Sequence, residues 1–224
     1  MSILYVAGVS ISDNPKDISP VTLNKIKEAK VVIGEERKNT LRLLKIAEAD
    51  DNKEIYFINE HSKDSDRNEV LKAVLSSDIS VFFSDCGTPC ISDPDYNFIR
   101  MCRQKGVTIK SLAGASSITT AISVAGINAS KFLFAGFPPK KDVDRKKFFK
   151  EVLSSKVAVV FMERPYSLEN TLKDISCCDR KISLSINLGM DNELNLYDKP
   201  LSLIDKVKGI KAPFIIVIPA LQKK

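Results

Sequence analysis

The sequence predicts an α/β protein of two domains, and three observations support this fold class. Short runs of β-branched and aromatic residues alternate with segments of helical periodicity, a pattern typical of a parallel sheet covered by helices. A chain of 224 residues, 44% of them hydrophobic, can bury one large core or two smaller ones. Glycine and small residues follow a strand near Leu112, where the character of the sequence changes.

The first half contains five predicted strands separated by four predicted helices. Ser19 is a typical N-cap and Pro20 a typical first residue for the first helix. Asp93 and Pro94 are predicted to open the last helix, which Gly106 ends. The strands are ILYVAG, VVIG, EIYFI, ISVFFS and VTIKSL, and the other two helices are TLRLLKIAE and NEVLKAVLS.

The second half has shorter helices and more room for antiparallel strand pairing. Its predicted helices are SSITTAISVAG, a basic helix, a segment from Ser167 to about Ile175, and a short helix opened by Pro200. Its predicted strands are FLFAGF, KVAVVFM, KISLSINLG and FIIVIPA. We therefore predict domains at residues 1–113 and 114–224, with a ligand site in the cleft between them.

The composition is that expected of a cytoplasmic protein. The apolar runs are too short to span a bilayer, and no basic segment precedes the apolar residues at the start of the chain. Five cysteines without a disulfide-like spacing are expected to be reduced thiols. We expect Cys86 and Cys90 to be small buried thiols without a chemical role.

A formal charge of +6 is compatible with a polyanionic partner such as RNA. The densest basic cluster, PPKKDVDRKKFFK from Pro138 to Lys150, also contains Asp142 and Asp144. A solvated start to a helix explains this cluster as well as a nucleic-acid contact does. The chain has no tryptophan, and few aromatic residues accompany the basic ones, so no base-stacking platform is obvious.

The stretch SDCGTPCISDPDY, from Ser84 to Tyr96, collects turn-forming residues directly after a predicted buried strand. A structural zinc site needs more Cys and His ligands than this stretch offers. Magnesium bound by Asp85, Asp93 and Asp95 is less expected than turn and capping roles for these residues. One glycine without a lysine or arginine does not make a triphosphate loop. The remaining interpretation is a ligand loop at the carboxyl end of a strand, with backbone groups of Gly87 and Thr88 within reach of the ligand.

Three other small-residue loops also follow predicted strands. They are AGVSISDN, LAGASSITTA and INLGMDN. Together with the stretch from Ser84 to Tyr96 they can form a pocket with walls made mostly of backbone. Such a pocket suits a ligand with an adenine and a charged amino-acid end.

These segments resemble the tetrapyrrole methylase superfamily, and within it the branch that methylates a cytidine ribose of small-subunit ribosomal RNA. The signature GTPxISDP is present, preceded by SD after an apolar strand. Five further segments are similar in order and spacing: GEERKNTLRLL to EDTRHTxxLL, INEHS to HEHN, SLAGASSITTAISVAGI to LPGPSAxxxALxxSGL, FLFAGFPPKK to FxFxGFLPxK, and FMERPYSLENTLKDI to FYESPHRLxxTLxDL. The resemblance extends over nearly the whole chain.

The resemblance implies two α/β domains that hold S-adenosylmethionine, usually in a homodimer, with ribosomal RNA or the small ribosomal subunit as partner. From the short apolar runs and the ligand count of the Ser84 to Tyr96 stretch, we expect no membrane association and no metal. The residues implied to contact the cofactor are Ser10, Ile11, Asp85, Gly87, Thr88, Ile91, Ser117, Ile118, Met162, Leu188, Gly189 and Met190.

Methyl transfer to a ribose hydroxyl needs alignment of the acceptor oxygen and benefits from a base that removes its proton. Glu35, Glu36 and Lys38 are the candidates for this role. A helix start enriched in acidic residues is an equally good explanation of the two glutamates.

The chain departs from the family pattern at several charged or special positions. GVSIS replaces the loop TPIGN, LAGA replaces LPGP, and Lys38 and Asn39 replace an arginine and a histidine. SINLGM replaces ARELTK, which removes three charged residues. Two alternatives to the RNA methyltransferase therefore stay open: an enzyme of the same fold with a small-molecule acceptor, and a non-catalytic protein that binds the cofactor or RNA.

Overall fold

The structure is a computed structural model that describes residues 1–12, 14–92 and 95–221. The chain divides into two units, Met1–Ser116 and Ser117–Lys224. None of the helices in the described ranges is long and apolar enough to cross a membrane.

The first unit is built on a sheet of five parallel strands in the order β3-β2-β4-β1-β5. The strands are β1 (Ile3–Ala7), β2 (Val31–Gly34), β3 (Glu54–Phe57), β4 (Ile79–Phe82) and β5 (Thr108–Leu112). The helices are α1 (Pro20–Glu28), α2 (Arg37–Ile46), α3 (Asp64–Leu75) and α4 (Tyr96–Gln104). All carboxyl ends of the strands therefore lie at one edge of this sheet.

Helices cover both faces of the first sheet. Successive residues of a strand point to opposite faces, so neighbouring residues pack on different helices. Val32 belongs to an apolar cluster with residues of α1 and α2, whereas its neighbour Ile33 belongs to a second cluster with residues of α3 and α4. Phe82 and Phe98 pack in the second cluster with ring centroids 6.1 Å apart. Burial on both faces explains why β2, VVIG, is apolar and buried along its whole length.

The second unit is built on a mixed sheet of five strands in the order β6-β7-β10-β8-β9. Its elements are α5 (Ser117–Val124), β6 (Phe132–Phe134), α6 (Asp142–Ser154), β7 (Ala158–Glu163), α7 (Leu168–Asp174), β8 (Ile182–Ile186), β9 (Leu194–Asp198), α8 (Pro200–Ile204) and β10 (Phe214–Ile218). Only β6 and β7 pair in parallel among the described pairs of this sheet. One apolar cluster joins α6, α7 and α8 to the sheet.

The predicted α/β fold is confirmed, and the predicted strands and helices are present with bounds that differ by a few residues. Ser19 caps α1 as predicted, since its hydroxyl accepts a hydrogen bond from the Val21 amide at 3.3 Å. Asp93 and Pro94, predicted to open α4, lie outside the described residues. Strand β9 was not predicted. It pairs antiparallel with β8 at the edge of the sheet.

Candidate functional site

Three loops meet at the carboxyl edge of the first sheet, following β1, β4 and β5. The amide of Val9 donates a hydrogen bond to the Gly87 carbonyl at 2.8 Å, and the Gly87 amide donates to the Ser10 carbonyl at 3.0 Å. The amide of Gly8 donates to the Leu112 carbonyl at 2.9 Å. These bonds fix the first loop between its two neighbours, because β1 lies between β4 and β5 in the sheet.

Backbones approach most closely between the first and third of these loops. A Cβ placed on Gly114 would lie 2.3 Å from the carbonyl carbon of Gly8, and a Cβ placed on Gly8 would lie 2.8 Å from the Cα of Gly114. Neither distance is sterically possible, so both positions require glycine. The glycines of AGVSISDN and LAGASSITTA therefore serve this contact.

The stretch from Ser84 to Ser92 has an unusual backbone. Gly87 has a φ of 70°, and Cys90 and Ser92 both have a φ of 65°, in the left-handed region that residues with a Cβ rarely adopt. The hydroxyl of Thr88 donates a hydrogen bond to the Ala115 carbonyl at 3.0 Å, which ties this stretch to the third loop. The tight turn is thus held by its neighbours.

The predicted availability of the Gly87 backbone to a ligand needs correction. Its amide and carbonyl are both used in the hydrogen bonds to the first loop. The contribution of Gly87 is its left-handed turn and its small size, since a Cβ there would lie 3.2 Å from the Cγ2 of Ile11. Ile11 and Ile91 remain partly exposed on these loops.

The first loop is ordered by its serines. The amide of Ser12 donates to the Oγ of Ser10 at 2.9 Å, and the hydroxyl of Ser12 donates to Asp17 at 2.6 Å. Ser10 is buried. The substituted segment GVSIS therefore builds its own internal support for the loop.

Asp85 joins the predicted catalytic segment to the predicted cofactor loop. Its carboxylate accepts hydrogen bonds from the Glu36 amide at 3.1 Å and from the Asn39 side-chain amide at 2.7 Å. Its own amide donates to the Glu35 carboxylate at 3.2 Å. Asp85 follows β4, the neighbour of β2, and its carboxylate thus accepts a hydrogen bond from a backbone amide at the start of α2. The sequence did not suggest this positioning role.

The three candidate bases are arranged differently around this cluster. Glu35 is half-buried and in contact with the Asp85 amide, whereas Glu36 and Lys38 are exposed. Glu36 is the N-cap residue of α2, but its side chain makes no capping hydrogen bond. Asn39 was missed as a member of this site. Its position in the sequence could have indicated it, because Asn39 lies in the first turn of α2, which follows β2 almost directly.

The second unit places its predicted cofactor residues at one edge of its own sheet. Met162 lies near the carboxyl end of β7, and the turn from Leu188 to Met190 follows β8. Helix α5 packs on β7 and β10, and the hydroxyl of Ser117 lies 3.6 Å from the Met162 sulfur. Ile118 and Leu188 are buried, so they shape this edge more than they line a surface.

The turn after β8 is held by backbone and carboxylate contacts. Asn187 and Gly189 have left-handed φ values of 54° and 76°. The Gly189 amide donates to the Glu193 carboxylate at 2.6 Å, and the Met190 amide donates to the Asn187 carbonyl at 3.0 Å. Met190 is half-buried at this turn.

The cysteines differ from their predicted burial. Cys86 is exposed and Cys90 is half-buried, because the turn from Ser84 to Ser92 lies at the surface of the first unit. Within the described residues, no group of three or more His, Cys, Asp or Glu side chains could hold a metal ion. Asp93, one of the aspartates considered for magnesium, lies outside those residues.

Comparison with known proteins places these features in a family. The family model described as Tetrapyrrole (Corrin/Porphyrin) Methylases matches residues 4–202. A relative from Thermotoga maritima, named ribosomal RNA small subunit methyltransferase I, is 31% identical over 175 residues, which are 78% of this chain and 77% of the relative. A protein of the same name from Rickettsia prowazekii is 31% identical over 75% of this chain, but the match covers only 59% of that relative.

Solved structures with a similar fold include a synthase and a methyltransferase, both at low sequence identity. A diphthine synthase matches 97% of this chain and 89% of its own with a TM-score of 0.72 and 15% identity. A uroporphyrin-III-C-methyltransferase from Thermus thermophilus matches 98% of this chain and 94% of its own with a TM-score of 0.67 and 14% identity. At these identities the likeness concerns the fold alone.

Proposed function

The chain belongs to the tetrapyrrole methylase family, and from that premise we propose that it is an S-adenosylmethionine-dependent methyltransferase acting on a cytidine 2′-hydroxyl of small-subunit ribosomal RNA. The observation that carries the proposal is the match of about three quarters of the chain to relatives named for that RNA. The charge of +6 favours the same acceptor, because lysine and arginine gain affinity for phosphates by releasing counterions.

The described residues of the first unit fit such a cofactor. Loops at the carboxyl edge of a parallel sheet, beside a tight glycine turn, are where α/β proteins bind ligands. Ile11 and Ile91 offer apolar surface, and the hydroxyls of Ser10 and Thr88 lie on the same two loops. When bound, the cofactor supplies an activated sulfonium methyl group. The second-unit contacts, Ser117, Ile118, Met162 and the Leu188 to Met190 turn, stay predictions.

The chain's own contribution to the transfer is to align the ribose oxygen and accept its proton. We place this task on the Glu35 to Lys38 segment, because Asp85 fixes the start of α2 against the signature loop. Glu35→Gln and Glu36→Gln should reduce methyl transfer about 100-fold for whichever residue is the base. Cofactor binding should be retained in both variants.

Calorimetric titration with S-adenosylmethionine tests the cofactor first. Gly87→Arg should abolish binding, because the new side chain would start 3.2 Å from Ile11. Gly106→Arg is the matched control, since Gly106 has a similar left-handed φ of 78° but a Cβ placed there would meet nothing within 4 Å. Absence of saturable binding to the unaltered protein would contradict the proposal.

The acceptor is tested with small subunits from a strain that lacks the corresponding gene. Incubation with the protein and radiolabelled cofactor should place label in RNA, recovered as 2′-O-methylcytidine after digestion to nucleosides. Label recovered in a different nucleoside would contradict the assignment of cytidine as the acceptor. Cofactor binding without any labelled RNA would favour the small-molecule alternative, to which the loss of charged residues in SINLGM also points.

We further propose a cytoplasmic homodimer, the assembly that the family resemblance implies. In the described part of the second sheet, β6 is an edge strand, and it exposes Phe132 and Leu133 by 43% and 52%. Exposed apolar side chains on an edge strand favour pairing with another chain.

A further inference from the structure

The second unit carries a polar cavity of about 520 Å³. Its lining includes Arg164, two positions after the predicted cofactor residue Met162, but none of the predicted cofactor residues themselves. We name it the cationic pocket; its principal lining residues are Lys140, Arg145, Arg164, Tyr166, Asn170 and Lys173. They belong to α6, α7 and the segments that precede these helices. The cavity therefore forms within a single unit.

A buried ion-pair network makes the floor of the cationic pocket rigid. The side chain of Glu163 is completely buried and lies 2.5 Å from Arg145 and 3.2 Å from Arg164. Arg145 also contacts Asp174 at 2.7 Å and donates to the Thr171 hydroxyl at 3.1 Å. Burial opposes the charge of Arg145, but the hydrogen bonds to Glu163 and Asp174 outweigh it and raise the pKa of the guanidinium.

The floor is electrically balanced, so the ligand charge is set by the rim. The charges of Arg145 and Arg164 offset those of Glu163 and Asp174. Lys140 and Lys173 are exposed on the rim, and neither makes an ion pair with any described residue. Asp142 is the one other acidic side chain in the lining, so the two lysines give the rim a net positive charge.

Two further lysines of α6 lie beside the cationic pocket. A second cavity of about 420 Å³ shares Asp174 with the cationic pocket and is lined by Lys146 and Lys150. These two lysines are four residues apart on one helix, hence about 6 Å apart along its axis. Phe149, Leu153 and Leu221 also line this second cavity, so the two lysines add positive charge beside an apolar surface.

Tyr166 gives the pocket an aromatic surface beside the positive charge. It is 68% exposed, and a tyrosine that exposed has a ring face available to a base. Asn170 and Ser167 add hydrogen-bonding groups in the same lining. A cationic rim with an accessible aromatic ring is the combination by which proteins hold single-stranded nucleic acid.

We infer that the cationic pocket binds single-stranded ribosomal RNA, with phosphates at Lys140 and Lys173 and a base stacked on Tyr166. This inference rests on the proposed function and names the RNA-contacting surface for it. It favours the nucleic-acid interpretation of the basic segment from Pro138 to Lys150 over the solvated helix start.

The test is fluorescence anisotropy with a labelled single-stranded fragment of small-subunit rRNA of about 12 nucleotides, across a salt series. Lys140→Gln/Lys173→Gln should reduce the slope of log K against log salt by about 1.4, or about 0.7 for each lost phosphate contact. Lys72→Gln/Lys105→Gln removes two exposed lysines of the first unit and is the charge-matched control. Its slope should equal that of the unaltered protein.

Tyr166→Ala should weaken RNA binding about 5- to 150-fold, the range for loss of one stacked base. Tyr197→Ala, at a tyrosine 53% exposed on β9, should leave it unchanged. Circular dichroism melts of all variants would show whether they are folded, and Arg145 is left intact because the network depends on it.

Equal slopes and affinities in the pocket and control variants would overturn the inference. Loss of binding to whole subunits with unchanged binding to the RNA fragment would also overturn it, because the pocket would then dock a protein. The proposed function fails separately: an unaltered protein that binds RNA through the pocket but transfers no methyl group would contradict the function and leave the pocket assignment standing.

Discussion

At the scale of single residues, the contact between Gly8 and Gly114 decides whether the candidate site can form. A methyl group at either position would overlap the backbone of the other loop. Gly114→Ala should lower stability by about 1–3 kcal/mol, the usual cost of overpacking, and should also abolish cofactor binding because the loops must separate. Thermal melting and calorimetric titration measure the two effects.

Gly106→Ala is the control that separates loss of stability from loss of cofactor binding. Gly106 has a left-handed φ of 78° and open space around it, so alanine there costs stability through backbone strain alone. Cofactor binding should survive in this variant. If Gly114→Ala bound the cofactor as well as Gly106→Ala does, the tight glycine contact would not be needed for the site.

The cysteines should differ sharply in reactivity in the native protein. Burial raises the pKa of the Cys102 thiol to about 12, so almost none of it is thiolate at pH 8. Cys177 is exposed. Titration with a disulfide reagent at pH 8, followed by peptide mass mapping, should label Cys177 within minutes and leave Cys102 unlabelled until the protein is unfolded. Equal labelling of both would contradict the burial of Cys102 in α4.

At the scale of elements, the buried carboxylate of Glu163 depends on a residue of another element. Arg145 of α6 reaches Glu163 on β7 and Asp174 on α7, and so joins two helices to the sheet. Arg145→Met should destabilise the protein by about 3 kcal/mol, because it leaves a buried charge with less compensation. The low end of the usual range applies, since Arg164 still contacts Glu163.

The double variant Arg145→Met/Glu163→Gln is the informative companion. Removing the buried charge should restore part of the lost stability, as measured by urea denaturation. The single variant Glu163→Gln completes the comparison. If the stability losses of the two single variants add up to that of the double variant, the network does not act through the pairing of these charges.

Prediction from sequence succeeded for elements whose signals are local. Strand β2 is apolar along its whole length because both of its faces are covered, and the Ser19–Pro20 pair marks a helix start through short-range contacts alone. Strand β9 was missed because its sequence, LNLYD, mixes polar and apolar residues, is largely exposed and pairs with only one strand, β8. Edge strands of this kind are defined by their pairing partner more than by their own residues.

The site was predicted less completely for a related reason. The residues were found by resemblance, but the role of Asp85 depends on hydrogen bonds to Glu36 and Asn39, which are 49 and 46 positions away in sequence. The use of the Gly87 amide and carbonyl by the first loop is equally non-local. No pattern within a single segment indicates such contacts.

At the scale of the whole molecule, the edge strand β6 should decide the assembly state. Its exposed Phe132 and Leu133 would be covered if β6 paired with another copy of the chain, and closed two-fold dimers are the commonest symmetric assembly. Light scattering coupled to size exclusion should therefore give twice the mass of one chain.

Leu133→Lys should shift this species towards the monomer, raising the dimer dissociation constant at least about tenfold, because a lysine on each copy would meet its equivalent across or near the two-fold axis. Leu201→Lys places the same charge at a leucine that is 65% exposed on α8, away from β6 in the described fold, and should leave the mass unchanged. Identical masses for both variants across a dilution series would place the dimer contact elsewhere. A monomer in the unaltered protein at micromolar concentration would remove the dimer from the proposal.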